Sequence, residues 1–418
     1  MQTTESGRPE PTRDGRCYAA AMPSRPTLSR RALLQDGARR ALGAALAATP
    51  MTLPAAPAAP RPLDPKPLQS LGRRIDEAIA AGRLPGAVLW VERAGAAPHT
   101  AVFGQRALDP VTEPLALDAV FDVASLTKPV VTGVLCAQLL DEGRFELDDP
   151  VSRHLPGDAE RGEGGATVTV RHLLTHCSGL PAVLPLDPAW QGAAAARALT
   201  LAARPTDPPG TAFRYSDVNY HLLDALLQAW TGEPLDRLAR ERVLQPLGLH
   251  DSGYLPLQRL PAARLVPTER IGTQVLRGQV HDPAARRMGG VAGHAGLFAP
   301  AAELATFARM ILGRGTLNGR TVLSGRAWAA MTTSQSPRGL PQRGLGWDID
   351  SPYSRPRGRL WPVGGFGHTG FTGCAMWIDP ASQGFYVFLS NRVHPAVREG
   401  IVDLYEAVGT AAAEACAG

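Results

Sequence analysis

Lysine is almost missing from this chain: of 43 basic residues in 418, only Lys66 and Lys128 are lysines, and arginine supplies the rest. A guanidinium does not give up its proton near neutral pH, so the sequence has very few amines to offer as a base. Cysteine is scarce as well. The five cysteines, at positions 17, 136, 177, 374 and 416, show no C-x-x-C spacing. That excludes a zinc cluster and a dense disulfide framework, and leaves open whether any two pair in an oxidising compartment. No run beyond residue 60 reaches the roughly 18–20 apolar residues needed to cross a bilayer, so the body of the chain is expected to be free in solution. A strong excess of one charge is also lacking. The formal net charge is +5, but residues 1–59 carry 8 Arg against 4 acidic residues, and the remainder is close to neutral. Nothing in that balance calls for nucleic acid. With 44% hydrophobic and 19% charged residues, the chain can bury a large core as one sizeable domain or two intergrown ones.

The basic leader has its own pattern. Ser29-Arg30-Arg31-Ala32-Leu33-Leu34 is similar to a twin-arginine export signal, and small apolar residues follow over 41–48, then Ala/Pro-rich sequence to Pro62. We expect residues 1–59 to be an export leader and linker, cleaved near Ala56-Pro57-Ala58, and the protein to be exported, to the periplasm. A start at Met22 would give the stretch before Ser29 an ordinary length.

Residues 60–418 read as one domain with β signals at both ends and a helical middle. Residues 86–91 and 100–103, separated by Gly95 and Pro98, predict a hairpin. Val130, Val131, Val134, Leu135 and Leu139 recur at helical spacing up to Gly143. Further helices are expected over 170–175, 220–231 and 234–247, a second hairpin from 368–378 and 385–390, and a final helix over 397–413. The implied fold is α/β of the α+β kind. An antiparallel sheet, from about 66–128 and 295–418, is flanked by helices, with a mostly helical insertion over about 129–294.

The retained amine stands in an informative place. Lys128 follows Ser125 by three residues, a spacing that puts both side chains on one helix face and the amine within reach of the hydroxyl proton. Pro129, which lacks an N–H, fits only near a helix start, and so places Ser125 at a helix N-terminus where a developing anion is favoured. Tyr215-Ser216-Asp217 lies about ninety residues on, ahead of a predicted helix, and His368-Thr369-Gly370 opens the late strand. In this order the three elements resemble the signature of the serine β-lactamase and penicillin-binding-protein superfamily, in its class C-like branch of β-lactamases, DD-peptidases and esterases. The segment from His172 to Leu180, His281-Asp282 and the glycine-rich stretch from Gly289 to Phe298 extend the resemblance, which runs from about Gly86 to Asn391.

That resemblance implies a β-lactamase/transpeptidase-like fold and an acyl-enzyme on Ser125, with Lys128, made neutral by burial, as base and Tyr215 passing the proton to the leaving group. It further implies an oxyanion hole from the N–H groups of Ser125 and Phe371. His368 and Thr369 would face the substrate's carboxylate or leaving group, and Gly370 would let substrate backbone approach. No cofactor or metal is implied; the partner is a small-molecule or peptidoglycan-derived substrate. Two departures stand out. His368 replaces the lysine of the β-lactamases best known for hydrolysing the antibiotics, offering a weaker, pH-dependent charge, and Asp217 replaces an asparagine. As a carboxylate Asp217 could hold Lys128 as an ammonium; it is equally read as a helix N-cap. Peptides ending in D-amino acids and small esters therefore fit at least as well as β-lactams, and a non-hydrolytic penicillin- or peptidoglycan-binding descendant is the other reading. His172 and His176 have the i, i+4 spacing of zinc ligands, but without the glutamate of a zinc protease they are read as structural.

Overall fold

Strands whose residues are apolar at every position, rather than at alternate ones, must be covered on both faces, and such strands form the centre of this protein. The computed structural model describes residues 62–155, 167–398 and 400–417; the expected leader lies outside them. The strands are β1 (Gly86–Arg93), β2 (His99–Ala107), β3 (Glu113–Pro114), β4 (Gln342–Arg343), β5 (Asp348–Asp350), β6 (Phe366–Gly370), β7 (Cys374–Asp379) and β8 (Gly384–Ser390). They make one antiparallel sheet in the order β4-β5-β6-β7-β8-β1-β2-β3. Early and late chain meet where β1 pairs with β8, from Ala87 opposite Ser390 to Arg93 opposite Gly384.

Alternate residues of β7 and β8 enter different cores. Trp377, Tyr386 and Phe388 pack with Leu68, Leu71 and Ile75 of helix α1 (Pro65–Ala80) and with Leu404 and Val408 of the final helix (Val402–Ala417). Met376, Ile378, Phe385, Val387 and Leu389 face the larger core of the central helices. Each fully buried side chain of this size contributes roughly 1.5–3 kcal/mol over exposure, so the two-sided sheet is a rigid platform. The opening helix escapes the sequence reading although its signals are present: Asp64 caps it by accepting the Lys66 N–H, Pro65 opens it, and Leu68, Leu71, Ile75 and Ala78 form its buried stripe.

Two expectations change in detail. The single strand expected over 368–378 is two strands, because Gly370-Phe371-Thr372-Gly373 closes a tight turn in which the Gly373 N–H donates to the Gly370 carbonyl at 3.1 Å. Gly373 has φ +117, open to glycine. The final helix starts at Val402, later than expected. The helix after Tyr215 runs Asp217–Thr231, capped by the Ser216 hydroxyl on the Asn219 N–H and ended by left-handed Gly232. No helix among the described residues is long and apolar enough to cross a membrane.

Candidate active site

Ser125 sits in a strained turn. Residues Ala124–Leu126 form a 3-10 turn, Lys128–Gly133 wider π-helical turns, and only Val134–Asp141 a regular α-helix. Ala124 adopts φ +47 without being glycine, a conformation that costs about 1–3 kcal/mol and persists only where neighbours enforce it. Asp122 does so: one carboxylate oxygen accepts the Ala124 N–H at 2.9 Å and the other the His281 N–H at 2.7 Å. The Thr127 hydroxyl closes the turn on the Ala124 carbonyl at 2.7 Å. Pro129 loses no bond here, because N–H groups in a first helical turn have no partner within the helix.

Lys128 is fully buried and its three N–H donors have three oxygens to meet. Its Nζ lies 3.0 Å from Ser125 Oγ, 3.2 Å from the His294 carbonyl and 2.7 Å from Asp217 Oδ1. Burial pushes the amine toward its neutral form, but the Asp217 carboxylate and the Tyr215 phenol outweigh it and hold the pKa above the ordinary lysine value. The neutral amine expected from burial alone is therefore not the resting state; Lys128 is an ammonium. Asp217 is free for this pairing because Ser216, not Asp217, caps the helix.

Tyr215 is placed by His176, whose ring stacks on it at 4.3 Å. His176 accepts the Ser216 N–H on Nδ1 at 3.1 Å, and burial drives its pKa well below the ordinary value, so it is a neutral wedge. Lys128 Nζ lies 4.9 Å from the Tyr215 ring centre. Burial raises the pKa of the phenol, and the ammonium opposes that shift without reversing it.

The late strand meets the nucleophile turn through Gly370. A Cβ there would lie 2.3 Å from the Val123 carbonyl oxygen, so the missing side chain makes room for the protein's own backbone rather than for substrate. His368 places Nδ1 2.7 Å from the Thr369 carbonyl; a carbonyl only accepts, so Nδ1 carries the proton and the buried Nε2 is bare. Burial, with Arg343 and Lys128 nearby, pushes its pKa well below the ordinary value. His368 is thus neutral, where a pH-dependent cation was expected. The fixed charge on that side is Arg343, whose buried guanidinium lies 3.7 Å from Asp348 and 5.9 Å from the ring centres of both Phe213 and Tyr215. Its Nε and Nη2 have no hydrogen-bond partner among the described residues.

Ser125, Tyr215, Asp217, His368, Thr369 and Phe371 line one cleft of about 430 Å³, with Arg343, Asp282 and His294 in its walls. Lys128 and Gly370 sit behind that surface. The Beta-lactamase family profile matches residues 71–410. The chain belongs to the β-lactamase family. Among relatives, an Escherichia coli (strain K12) protein named provisionally as a D-alanyl-D-alanine carboxypeptidase is 33% identical over 311 residues, 67% of this chain and 70% of the relative. A Bacillus subtilis (strain 168) N-acetylmuramyl-L-alanine amidase is 31% identical over 370 residues, 79% of this chain and 82% of its own. The fold is shared with EstCE1, a hydrolase with promiscuous acyltransferase activity (TM-score 0.64, 20% identity, 82% of this chain and 98% of EstCE1). It is shared also with the octameric penicillin-binding protein homologue from Pyrococcus abyssi (TM-score 0.62, 21% identity, 81% and 76%). The protein is a serine hydrolase of this family.

Several residues of this β-lactamase-family site escape sequence reasoning: Asp122, His176, Arg343 and the Asp282–His294 pair. His281-Asp282 and the glycine-rich stretch carried a signal, but the spacing gave no role. Asp217, Asp282 and His294 bring ligand-type atoms within 4.8 Å of one another; in the structure these atoms are engaged in ion pairs with Lys128 and with each other. His172 is structural, as expected, forming a reciprocal cap with Thr169. Cys136, Cys177, Cys374 and Cys416 are buried and free.

Proposed function

We propose that this hydrolase acts on peptides that end in a D-amino acid with a free carboxylate, a DD-carboxypeptidase or endopeptidase type of reaction. The observation that carries the reading is Arg343: a buried guanidinium in the cleft wall, with Nε and Nη2 unpaired among the described residues, gives that side of the cleft a positive potential that attracts an anion. The names of the enterobacterial relatives agree with it. In the reaction, Ser125 Oγ bonds to the carbonyl carbon while its proton passes to Lys128, which in step gives one of its own to Asp217. Collapse of the adduct breaks the bond to the leaving amine, which departs with a proton delivered through Tyr215. Water then repeats the sequence on the acyl-enzyme, releasing the acid and restoring Ser125. The N–H groups of Ser125 and Phe371 hold the oxyanion; losing one such donor costs about 10²–10³ in rate. The Arg-Arg segment at residues 30–31 supports a site of action outside the cytoplasm.

The test is to offer the mature protein a D-alanyl-D-alanine peptide, a short p-nitrophenyl ester and a fluorescent penicillin, each beside Ser125→Ala. Peptide turnover and penicillin labelling, both lost in the variant, are expected. Ester turnover with no peptide turnover replaces the carboxypeptidase reading with an esterase.

A further inference from the structure

The segment from His281 to Leu297 is stitched to the nucleophile segment along its length. Asp122 takes the His281 N–H, the Thr132 hydroxyl donates to the Gly293 carbonyl at 2.7 Å, and the Leu297 N–H donates to the Thr127 hydroxyl at 3.1 Å. Gly293 is pressed so closely that a Cβ would lie 2.4 Å from the Tyr220 carbonyl oxygen. Between these stitches the His294 carbonyl serves as an acceptor for Lys128. The His294 imidazole is buried, with Nε2 2.9 Å from Asp282 Oδ1. Asp282 is itself fixed, since the same oxygen accepts the Ala285 N–H at 2.8 Å as cap of the short helix Pro283–Arg287.

We propose that Asp282 and His294 are positioning residues of the hydrolase, holding the Lys128–Asp217 pair at the separation from Ser125 that proton transfer requires. The inference rests on the reading of Ser125 as nucleophile and Lys128 as proton carrier. Its physical basis is the order of charge. Lys128 neutralises Asp217, and His294 neutralises Asp282, within one cluster whose ligand-type atoms span 4.8 Å. Without the imidazolium, two carboxylates with oxygens within 4.8 Å of each other would share the one cation paired to Asp217. Their repulsion would then draw Asp217 and Lys128 out of register with Ser125.

The carboxylates facing His294 favour its charged form through Nε2, while Nδ1 is buried with no hydrogen-bond partner among the described residues. Burial disfavours its proton, but Asp282 and then Asp217 overcome this and hold its pKa above the ordinary histidine value, with Lys128 opposing. On the far side stand His221, ring centre 4.4 Å away, and buried Asp224. His221 is neutral, its pKa driven well below the ordinary value by burial and by His294. Asp282 is held well below the usual carboxylate range: burial works against this, and His294 outweighs it.

His294→Gln and Asp282→Asn test the assignment, the latter keeping an N-cap side chain for the helix it starts. Folding is checked by thermal melting, and three quantities are read: the rate at which a fluorophosphonate modifies Ser125, kcat and KM for the D-alanyl peptide, and the pH dependence of modification. A displacement of this kind costs on the order of 10²-fold in modification rate and kcat, with KM little changed. The double variant should be no slower than the worse single one, as for residues that act as a unit. The ionisation of His294 should vanish from the pH profile of His294→Gln. Wild-type rates and an unchanged profile in folded variants, or a rise in KM alone, overturn the proposal while leaving Ser125 as nucleophile. A wild-type protein that takes no label on Ser125 removes the parent reading and this one together.

Discussion

Lys128 lies closer to the carboxylate of Asp217, at 2.7 Å, than to the hydroxyl of Ser125, at 3.0 Å. The residue that should receive the serine's proton is thus held by a stronger partner, and Asp217 decides when the amine is free. Removing that charge leaves burial as the leading influence on Lys128, which lowers its pKa. In Asp217→Asn the acid limb of the rate of Ser125 modification should therefore move to lower pH. In Lys128→Arg, where charge is kept but the proton cannot leave, modification should be lost while the melting temperature stays close to wild type. An unmoved limb in the first variant contradicts the lock.

Gly370 offers a packing test. The methyl of Gly370→Ala would meet the Val123 carbonyl at 2.3 Å, and backbone cannot swing aside as a side-chain tip can. Overpacking of this kind costs about 1–3 kcal/mol. The variant should melt lower and label more slowly, because the strand and the turn before Ser125 are forced apart.

Arg343 separates substrate classes. Arg343→Lys retains a cation opposite Asp348 but loses the planar fork. A hydrogen bond to a charged group contributes about 1.5–3 kcal/mol, so KM for a peptide ending in a free carboxylate should rise about tenfold or more, and KM for a neutral ester should not. Equal effects on both substrates would falsify the anion-binding role.

Acid should destabilise the fold early. His176, His221 and His368 are buried with pKa values well below 6.5, whereas unfolded histidines titrate near 6.5. The stability of keeping them neutral is complete above that value. It is lost as pH falls from there toward the folded values, since only the unfolded chain takes up the protons. Asp224, pushed up to about 6 by burial, works the other way: the folded chain gains its proton first, which favours folding on acidification below that point. His294, its pKa raised, likewise favours folding at the lower pH. Three fully buried histidines exceed these two, at up to about 1.4 kcal/mol per pH unit each. The melting temperature should fall between pH 7 and pH 5.5; a flat profile counts against neutral burial of the three.

The buried thiols should be silent in the native state. Burial pushes Cys374 up to about 12 and Cys416 up to about 11, and raises Cys136 and Cys177 as well. A thiolate is the reactive form. Iodoacetamide followed by peptide mass mapping should modify these four only after denaturation.

Sequence and structure part company where partners come from far along the chain. Ser125 and Lys128 were legible from their spacing of three, Tyr215 only through its place in the family resemblance, and the hairpin strands from their apolar runs. The charge state of Lys128 was left open between a neutral amine and an ammonium held by Asp217, because the choice depends on how close a residue eighty-nine positions on comes. Arg343 hid among many arginines, and only its full burial in the cleft wall with two donor nitrogens unpaired sets it apart. Asp122 reads as an ordinary acid until its two oxygens are seen gripping Ala124 and His281.

The platform behind the nucleophile is completed by the end of the chain: β8 pairs with β1, β6 abuts the turn before Ser125, and the Thr372 hydroxyl reaches back to the Asp122 carbonyl at 2.7 Å. A nascent chain that has not yet supplied residues 384–390 has no partner for that edge of β1, so the two-sided sheet behind the nucleophile turn stays open.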